Sequence, residues 1–212
     1  MNRDLSRVGG GLMPRVAGEA CIAMDPDGPS TIEVALDAPA WRVQLADPEG
    51  LCRRALEAAL KRVRPPGWLE RAEISILLTD DAAARRLNVA YRGQDRPTNV
   101  LSFATFDRIP EAAPGHLPDG PVPLGDVVLA FETVRAEAVA ARIPLADHVS
   151  HLLVHGCLHL LGYDHGSEAD ATLMERLEGT ILTELGIADP YADESKGPVA
   201  GAGGALALEG GQ

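Results

Sequence analysis

Three histidines within a short stretch are the residues of this sequence best suited to do chemistry. They lie in His155-Gly-Cys-Leu-His159-Leu-Leu-Gly162-Tyr-Asp-His165. His155 and His159 are four residues apart, so on a helix they share one face about one turn apart. Gly162 can adopt the left-handed conformation that ends a helix, which lets the chain return His165 to the same point. We therefore predict one divalent cation held by His155, His159 and His165.

The ligand set indicates what kind of metal site this is. Three neutral imidazoles with an open fourth position are typical of catalytic zinc, whereas structural zinc sites are closed by four protein ligands. Bound zinc lowers the pKa of its water to about 7 and so supplies hydroxide at neutral pH. The pattern favours a zinc-dependent hydrolase, although histidine ligands also leave nickel, cobalt and manganese open.

The spacing also matches a zinc-peptidase motif, but with one substitution that matters. The metzincin template H-E-x-x-H-x-x-G-x-x-H agrees at its three histidines and its glycine. Gly156 occupies the place of the glutamate, which is the general base in zinc peptidases. A peptidase remains an alternative that lacks a central group. Asp164, beside the last histidine, is a candidate for orienting His165 or assisting the water.

Other residues near the three histidines have simpler interpretations. His151 lies four residues before His155, but it is about 12 Å of helix rise from His159, so these three cannot share one ion. We expect His151 behind the ligands or in the core, and His148 at the surface. Cys157 lies about 200° around the helix from His155 and is expected to pack as a small buried hydrophobe.

The hydrophobic pattern predicts an α+β fold with a small four-stranded mixed sheet covered by about five helices. The helix that contains His155 and His159 is apolar nearly all round, so it should be the buried central helix. Asp47, Thr79 or Asp80, and Ser167 are predicted N-caps. Strands are predicted at 31–36, 73–78, 99–103 and 125–130, and helices at 47–63, 80–91, 132–142, 145–161 and 168–185.

Composition divides the chain into three parts. Residues 1–30 are rich in Gly and Pro without periodicity and are predicted to form a flexible extension. Residues 31–192 are predicted to form one folded domain. Residues 193–212 form a Gly/Ala-rich tail that is predicted to be disordered.

Charge and cysteine content limit the function classes. The net charge of −12 argues against indiscriminate nucleic-acid binding. Residues 51–110 are locally basic, with 11 Lys and Arg against 7 Asp and Glu, which allows an anion-binding surface or simply solvated helix faces. Three dispersed cysteines favour a reduced, cytoplasmic compartment. No apolar run approaches a membrane span, and the N-terminus is not expected to be a signal peptide.

Two further motifs accompany the histidine stretch. They are Leu87-Asn88 through Tyr91-Arg92 with Asp95-Arg96-Pro97-Thr98-Asn99-Val100-Leu101-Ser102-Phe103, and Leu124-Gly125-Asp126-Val127-Val128 followed by Glu132. The three motifs, in their order along the chain, resemble those of the YbeY-type endoribonucleases, also called rRNA maturation factors. The resemblance covers about Ile32 to Ala188. The family usually has Pro where Ala104 stands and often where Phe131 stands, so local backbone shape is in question there.

The resemblance implies a single-strand-specific, metal-dependent endoribonuclease. Its implied role is rRNA maturation, notably at the 3′ end of 16S rRNA, and ribosome quality control. It implies one metal on the three histidines, a functional arginine at Arg92, and ribosomal RNA and the ribosome as partners, with a ribosomal or helper protein beside them and with no DNA and no membrane. Arg92 as an ordinary surface arginine, and a non-catalytic assembly factor with a structural metal, stay open as alternatives.

Three polar residues close to Arg92 have two interpretations. Thr98, Asn99 and Ser102 surround the start of a predicted strand. Such side chains commonly donate to phosphate or sugar. They also form turns before strands, which is the interpretation we favour.

Overall fold

The computed structural model describes residues 31–64, 67–109 and 121–192. The predicted N-terminal extension (1–30) and C-terminal tail (193–212) lie outside the described residues. The strands are β1 (Thr31–Leu36), β2 (Ala72–Thr79), β3 (Val100–Ala104) and β4 (Val122–Ala130). The helices are α1 (Ala40–Gln44), α2 (Pro48–Val63), α3 (Asp81–Arg92), α4 (Phe131–Ala141), α5 (Leu145–Leu160) and α6 (Glu168–Glu184), with a 3₁₀ turn at Gly67–Arg71.

The four strands form one mixed sheet, which confirms the predicted α+β class. The strand order is β1-β2-β4-β3. β1, β2 and β4 run parallel, whereas β3 runs antiparallel to β4 and forms one edge. The strand β2 is buried over most of its length because it lies between two neighbours and is covered on both faces.

The helix α5 is the central helix, as predicted. Ten of its sixteen residues are buried, and it packs on β3, β4, α2, α4 and α6. Gly156 is its point of close approach to the sheet: a Cβ built there would lie 3.0 Å from Val127 Cγ1 and 3.1 Å from Ser102 Oγ. A larger side chain would push α5 away from the sheet, so the glycine fixes the depth at which this helix lies.

The helix α3 packs on the opposite face of the sheet. Leu101, Phe103 and Val128 form a small separate core with Leu87 and Tyr91 of α3. Successive residues of a strand point to opposite faces, so Ser102 points toward α5 while its two neighbours point toward α3. The helix with His155 and His159 and the helix with Arg92 are thus separated by the sheet.

The predicted helix starts are correct. Asp47 accepts a hydrogen bond from Gly50 N–H, and Asp80 accepts one from Ala83 N–H at 2.7 Å. Ser167 accepts one from Asp170 N–H in the same way. Each cap satisfies a backbone donor that the first turn of a helix leaves free.

One helix was not predicted from the sequence. The five-residue α1 has no side-chain cap, and its pattern is too short to show a helical period. It is held by Trp41, which is fully buried, lies edge-on to Phe131 and donates from Nε1 to the carbonyl of Thr79 at 3.0 Å. Tertiary contacts therefore decide this element.

Among the described residues, no helix combines the length and the apolarity that crossing a membrane requires.

Candidate metal centre

The fold brings the three predicted histidines together. His155 and His159 come from consecutive turns of α5, and Gly162, with φ of 88°, turns the chain so that His165 returns to them. Each histidine offers one ring nitrogen, and the three nitrogens lie within 4.8 Å of one another. The cluster could hold a metal ion, and among the described residues it is the group of this kind that the structure shows.

The imidazole of His159 has the protonation state that a metal ligand needs. It is 2% exposed, and its Nδ1 lies 3.1 Å from the carbonyl oxygen of Tyr163. Burial, followed by the nearby His155 and His165, lowers the pKa of His159 to about 4. The imidazole is therefore uncharged at neutral pH, as metal coordination requires.

His155 is oriented from behind by a carboxylate. Its Nδ1 lies 2.9 Å from Oε1 of Glu178, on α6. Burial by itself raises the pKa of Glu178, but hydrogen bonds from His151, His155 and Tyr191 outweigh it and lower this pKa to about 2. The carboxylate is therefore ionised and can only accept hydrogen bonds, so His155 donates to it from Nδ1.

The Nε2 atoms of His155 and His159 face each other in a way that fits a bound cation. A carbonyl and a carboxylate both require a hydrogen on the Nδ1 that contacts them, so in the neutral imidazole form that binds a metal the Nε2 atoms of His155 and His159 carry the lone pairs. These Nε2 atoms are 3.0 Å apart. Two lone pairs at this distance repel, and a cation bound by both removes the repulsion. The donor set therefore fits a divalent metal of the type that prefers imidazole.

Glu178 is a residue that the sequence interpretation missed. It is 1% exposed and lies between Met174 and Ile181 on the buried face of α6. A carboxylate at a core position of an amphipathic helix is the signal that could have found it, because buried carboxylates need partners. The partner could not be identified, since His155 is 23 residues away in sequence.

Two other histidines of α5 were also given predicted positions, one of which the structure matches and one of which it does not. His151 lies behind the ligands, as expected, with Nε2 2.8 Å from Oε2 of Glu178. The expectation of an exposed His148 is wrong: its side chain is 13% exposed and its Nε2 lies 2.9 Å from Glu137. The start of α5 is covered by α4, which the helical pattern alone did not show.

Asp164 acts on the backbone of the ligand loop. Its Oδ1 accepts from the backbone N–H of His165 at 2.9 Å, whereas His165 Nδ1 is 3.9 Å away, too far for a hydrogen bond. Beside the histidines, Asp164 lines a polar cavity of about 280 Å³ together with Tyr163, Arg108 and Asp170. The cavity lies against the loop that precedes His165, and none of the three histidines is among its lining residues.

The position of a peptidase general base is occupied by the sheet. Gly156 points at Val127 and Ser102, with no room for a longer side chain. Ser102 itself is buried, and Asn99 accepts from the backbone N–H of Val100 and donates to Glu137. Asn99 thus holds the start of β3, in line with the turn-forming interpretation, whereas Ser102 lies inside β3 and faces Gly156.

Arg92 belongs to the helix that packs on the face of the sheet opposite α5. It is the last residue of α3, half-buried, and Gly93 follows it with φ of 66°. The ring of the preceding Tyr91 is 5.0 Å from that of Phe103, which pairs with Asp126 in β4. A Cβ at the preceding residue of β4, Gly125, would be 2.8 Å from Leu160 of α5. Arg92 therefore ends a helix on one face of the sheet, while α5 with His155 and His159 packs on the other.

Comparison with known proteins identifies the family. Residues 39–186 match the family model described as endoribonuclease YbeY. The chain belongs to the YbeY endoribonuclease family. The two family departures noted in the sequence leave the elements intact: Ala104 ends β3 as a buried residue, and Phe131 starts α4.

Curated YbeY relatives match over most of their length. The endoribonuclease YbeY of Paramagnetospirillum magneticum is 51% identical over 77% of this chain and 98% of its own. The Rhodospirillum rubrum protein of the same name is 53% identical over 74% of this chain and 79% of its own. The Bradyrhizobium sp. protein of the same name is 47% identical over 78% and 95%. A solution structure from Thermotoga maritima has a TM-score of 0.46 at 20% identity and covers 81% of this chain and 99% of that one.

Proposed function

We propose that this chain is a zinc-dependent endoribonuclease that cleaves single-stranded RNA during maturation of the 3′ end of 16S rRNA, and that it takes part in ribosome quality control. Membership of the YbeY family supports the reaction class. The observation that carries the metal dependence is the pair of Nε2 atoms of His155 and His159, 3.0 Å apart, with both Nδ1 atoms turned to acceptors.

The residues proposed to hold the metal are His155, His159 and His165. Their three nitrogens leave a further coordination position for water or a phosphate oxygen. When bound, zinc polarises a phosphoryl oxygen and lowers the pKa of bound water. The burial of His159 keeps its imidazole neutral and free of competing protons at the pH of the cytoplasm, which is the proposed location.

The proposed role of Arg92 is to neutralise charge on the phosphodiester. A guanidinium presents a planar set of donors that matches two phosphate oxygens and keeps its charge at any working pH. Because α3, which ends at Arg92, and α5 pack on opposite faces of the sheet, an RNA strand that contacts Arg92 and the metal is proposed to pass around the edge strand β3. A flexible single strand can follow such a path, whereas an A-form duplex is too wide and stiff to do so.

The substrate is proposed to be presented by the ribosome or a helper protein. Phosphate binding depends on Lys and Arg, but the chain carries 31 acidic against 19 basic residues. Free RNA should therefore bind weakly, with a steep loss as salt rises. Tight binding of unstructured RNA by the isolated protein at physiological salt would contradict this part of the proposal.

The test is cleavage of a small-subunit rRNA 3′ precursor, supplied both as free RNA and on purified precursor ribosomal subunits. Metal-loaded protein should cut the single strand, and annealing a complementary strand should protect it. His159→Ala should lose both metal and cleavage. No cleavage on either substrate, or equal cleavage of the duplex, would overturn the proposal.

The variant Arg92→Ala tests the proposed role of this arginine in neutralising charge on the phosphodiester. With metal content matched to the parent, cleavage should fall about 10²–10³-fold, the usual effect of losing one electrostatic stabiliser of the transition state. Arg86→Ala, an exposed arginine on the same helix, is the matched control and should stay near the parent. Loss of metal from Arg92→Ala would show that the assignment of this arginine to phosphate is wrong.

Metal identity is tested separately by elemental analysis and reconstitution. The apoprotein loaded with zinc should regain cleavage at a stoichiometry of one ion per chain. If cobalt, nickel or manganese restores cleavage and zinc does not, the metal is one of these and the zinc assignment fails.

A further inference from the structure

Glu178 is the centre of a buried hydrogen-bond network behind the metal centre. Its Oε1 faces His155 Nδ1 at 2.9 Å. Its Oε2 accepts from the hydroxyl of Tyr191 at 2.6 Å and faces His151 Nε2 at 2.8 Å. Three donors on one carboxylate, 1% exposed, require that it accept from all of them, so each surrounding hydrogen has a fixed position.

The network controls which nitrogen of His155 carries the hydrogen. A neutral imidazole holds one hydrogen, on Nδ1 or on Nε2, and the hydrogen-bond partner selects between them. With Glu178 present, the hydrogen lies on Nδ1 and the Nε2 lone pair is left for a ligand bond. Without Glu178, the hydrogen of His155 would move to its Nε2 atom. From there it could be donated to the Nε2 atom of His159, which lies 3.0 Å away. That alternative bond would close the metal site.

The turn that contains Asp189 and Tyr191, at the end of the domain, holds Glu178 in place. Tyr191 N–H donates to Asp189 Oδ1 at 2.9 Å, and Asp189 packs over Gly179 on α6. A Cβ at Gly179 would lie 2.5 Å from that carboxylate, so only glycine lets the turn approach this closely. The turn thereby places the Tyr191 hydroxyl on Glu178.

The geometry is unsuited to a direct chemical role for Glu178. Both of its oxygens are engaged, and the group of residues that could share an ion contains the three histidines without it. Its burial on the far side of His155 separates it from any substrate at the open face of the cluster.

We propose that Glu178 is a positioning residue that fixes His155 in the Nδ1-protonated form, with Tyr191 and His151 fixing Glu178 in turn. The inference rests on the proposed assignment of His155 as a ligand. It adds a buried determinant of metal affinity that lies outside the family's histidine stretch. Outer partners of this kind typically change metal affinity by about 10–100-fold.

The experiment combines metal affinity with the position of the hydrogen on His155. Glu178→Leu removes the acceptor, Glu178→Gln keeps one acceptor oxygen, and Glu184→Gln removes a charge from an exposed site on the same helix. Zinc affinity is measured by competition with a chromophoric chelator. The imidazole nitrogens of the metal-free proteins are observed by long-range ¹H–¹⁵N NMR.

The expected result is a hydrogen on Nδ1 of His155 in the parent and a shift to Nε2 in Glu178→Leu. Zinc affinity should fall about 10–100-fold in Glu178→Leu, partly recover in Glu178→Gln and stay unchanged in Glu184→Gln. Nδ1 without a hydrogen in the parent, or parental affinity in Glu178→Leu, would overturn the proposal. If Glu178→Leu fails to fold, the parent's NMR result and the affinity of Glu178→Gln still decide.

The experiment distinguishes failure of the proposed metal function from failure of the proposed role of Glu178. If the parent binds no zinc, the proposed metal function is wrong, while the NMR measurement on metal-free protein still tests the role of Glu178. If the parent binds zinc and the hydrogen on His155 stays on the same nitrogen when Glu178 is replaced, the proposed metal function is retained and the positioning role of Glu178 is wrong.

Discussion

Gly156 of α5 lies directly against Val127 of β4: a Cβ on Gly156 would be 3.0 Å from Val127 Cγ1. This distance is shorter than ordinary van der Waals contact, and both residues are buried in the protein interior, where side chains are closely packed. The helix that carries His155 and His159 is thus seated on the sheet by the absence of a side chain. The same glycine that removes a peptidase's general base is required for packing.

Gly156→Ala should destabilise the protein although alanine is the better helix former. We expect a loss of about 1–3 kcal/mol, the usual cost of overpacking a well-filled core. Urea unfolding of the metal-free protein measures it. Gly166→Ala is the control, since a Cβ there meets nothing within 4 Å. If the two variants unfold at the same urea concentration, close packing of Gly156 against the sheet does not contribute to the free energy of unfolding.

Metal binding should stabilise the parent protein and not a ligand variant. An ion that binds only the folded state adds about 2.7 kcal/mol at a free concentration of 100 times its Kd. Thermal unfolding with zinc and with a chelator should therefore differ clearly for the parent. His159→Ala should unfold at one temperature in both conditions, because its site is incomplete. An unchanged midpoint in the parent would count against a metal in the native state.

Asp80→Ala should weaken the start of α3. The carboxylate accepts from Ala83 N–H at 2.7 Å, and loss of an N-cap costs about 1 kcal/mol. Asp80→Asn keeps a side-chain oxygen at the same position and should remain within a few tenths of the parent. Urea denaturation of the three proteins provides the comparison. An Asp80→Asn protein as unstable as Asp80→Ala would show that the cap bond is not the cause.

Cys52 and Cys157 should resist thiol reagents in the native protein. Both are fully buried, and burial raises the pKa of each thiol to about 12. The reactive thiolate is therefore scarce and shielded at pH 8. In a Cys21→Ser background, a chromogenic disulfide should label neither thiol natively and both in urea. Rapid native labelling would contradict the burial of these cysteines.

Local features of the fold were predictable from the sequence because they depend on nearby residues. Asp47, Asp80 and Ser167 start their helices as predicted, since a cap acts on N–H groups two or three residues away. Gly162 has the positive φ that its place after α5 implied. β1 has the predicted bounds. β2 extends one residue beyond each predicted end, and β4 begins three residues before its predicted start.

Elements held by distant partners were not predictable in this way. The short α1 exists because Trp41 is buried against Phe131 and Thr79, far along the chain. His148 is covered because Glu137 of α4 reaches it. Hydrophobic periodicity reports which face of a helix is apolar, and it does not report which neighbour covers each end.

By itself the sequence determined that three histidines could share one cation, because helix periodicity and a helix-ending glycine place ring nitrogens at fixed local distances. It also determined the family, through motifs in a fixed order. Only the tertiary structure decided the orientation of His155, since Glu178 and Tyr191 come from elements 23 and more residues away. It also decided that the helix ending at Arg92 packs on the sheet face opposite α5, because Leu87 and Tyr91 cover the side chains of β3 and β4 on that face.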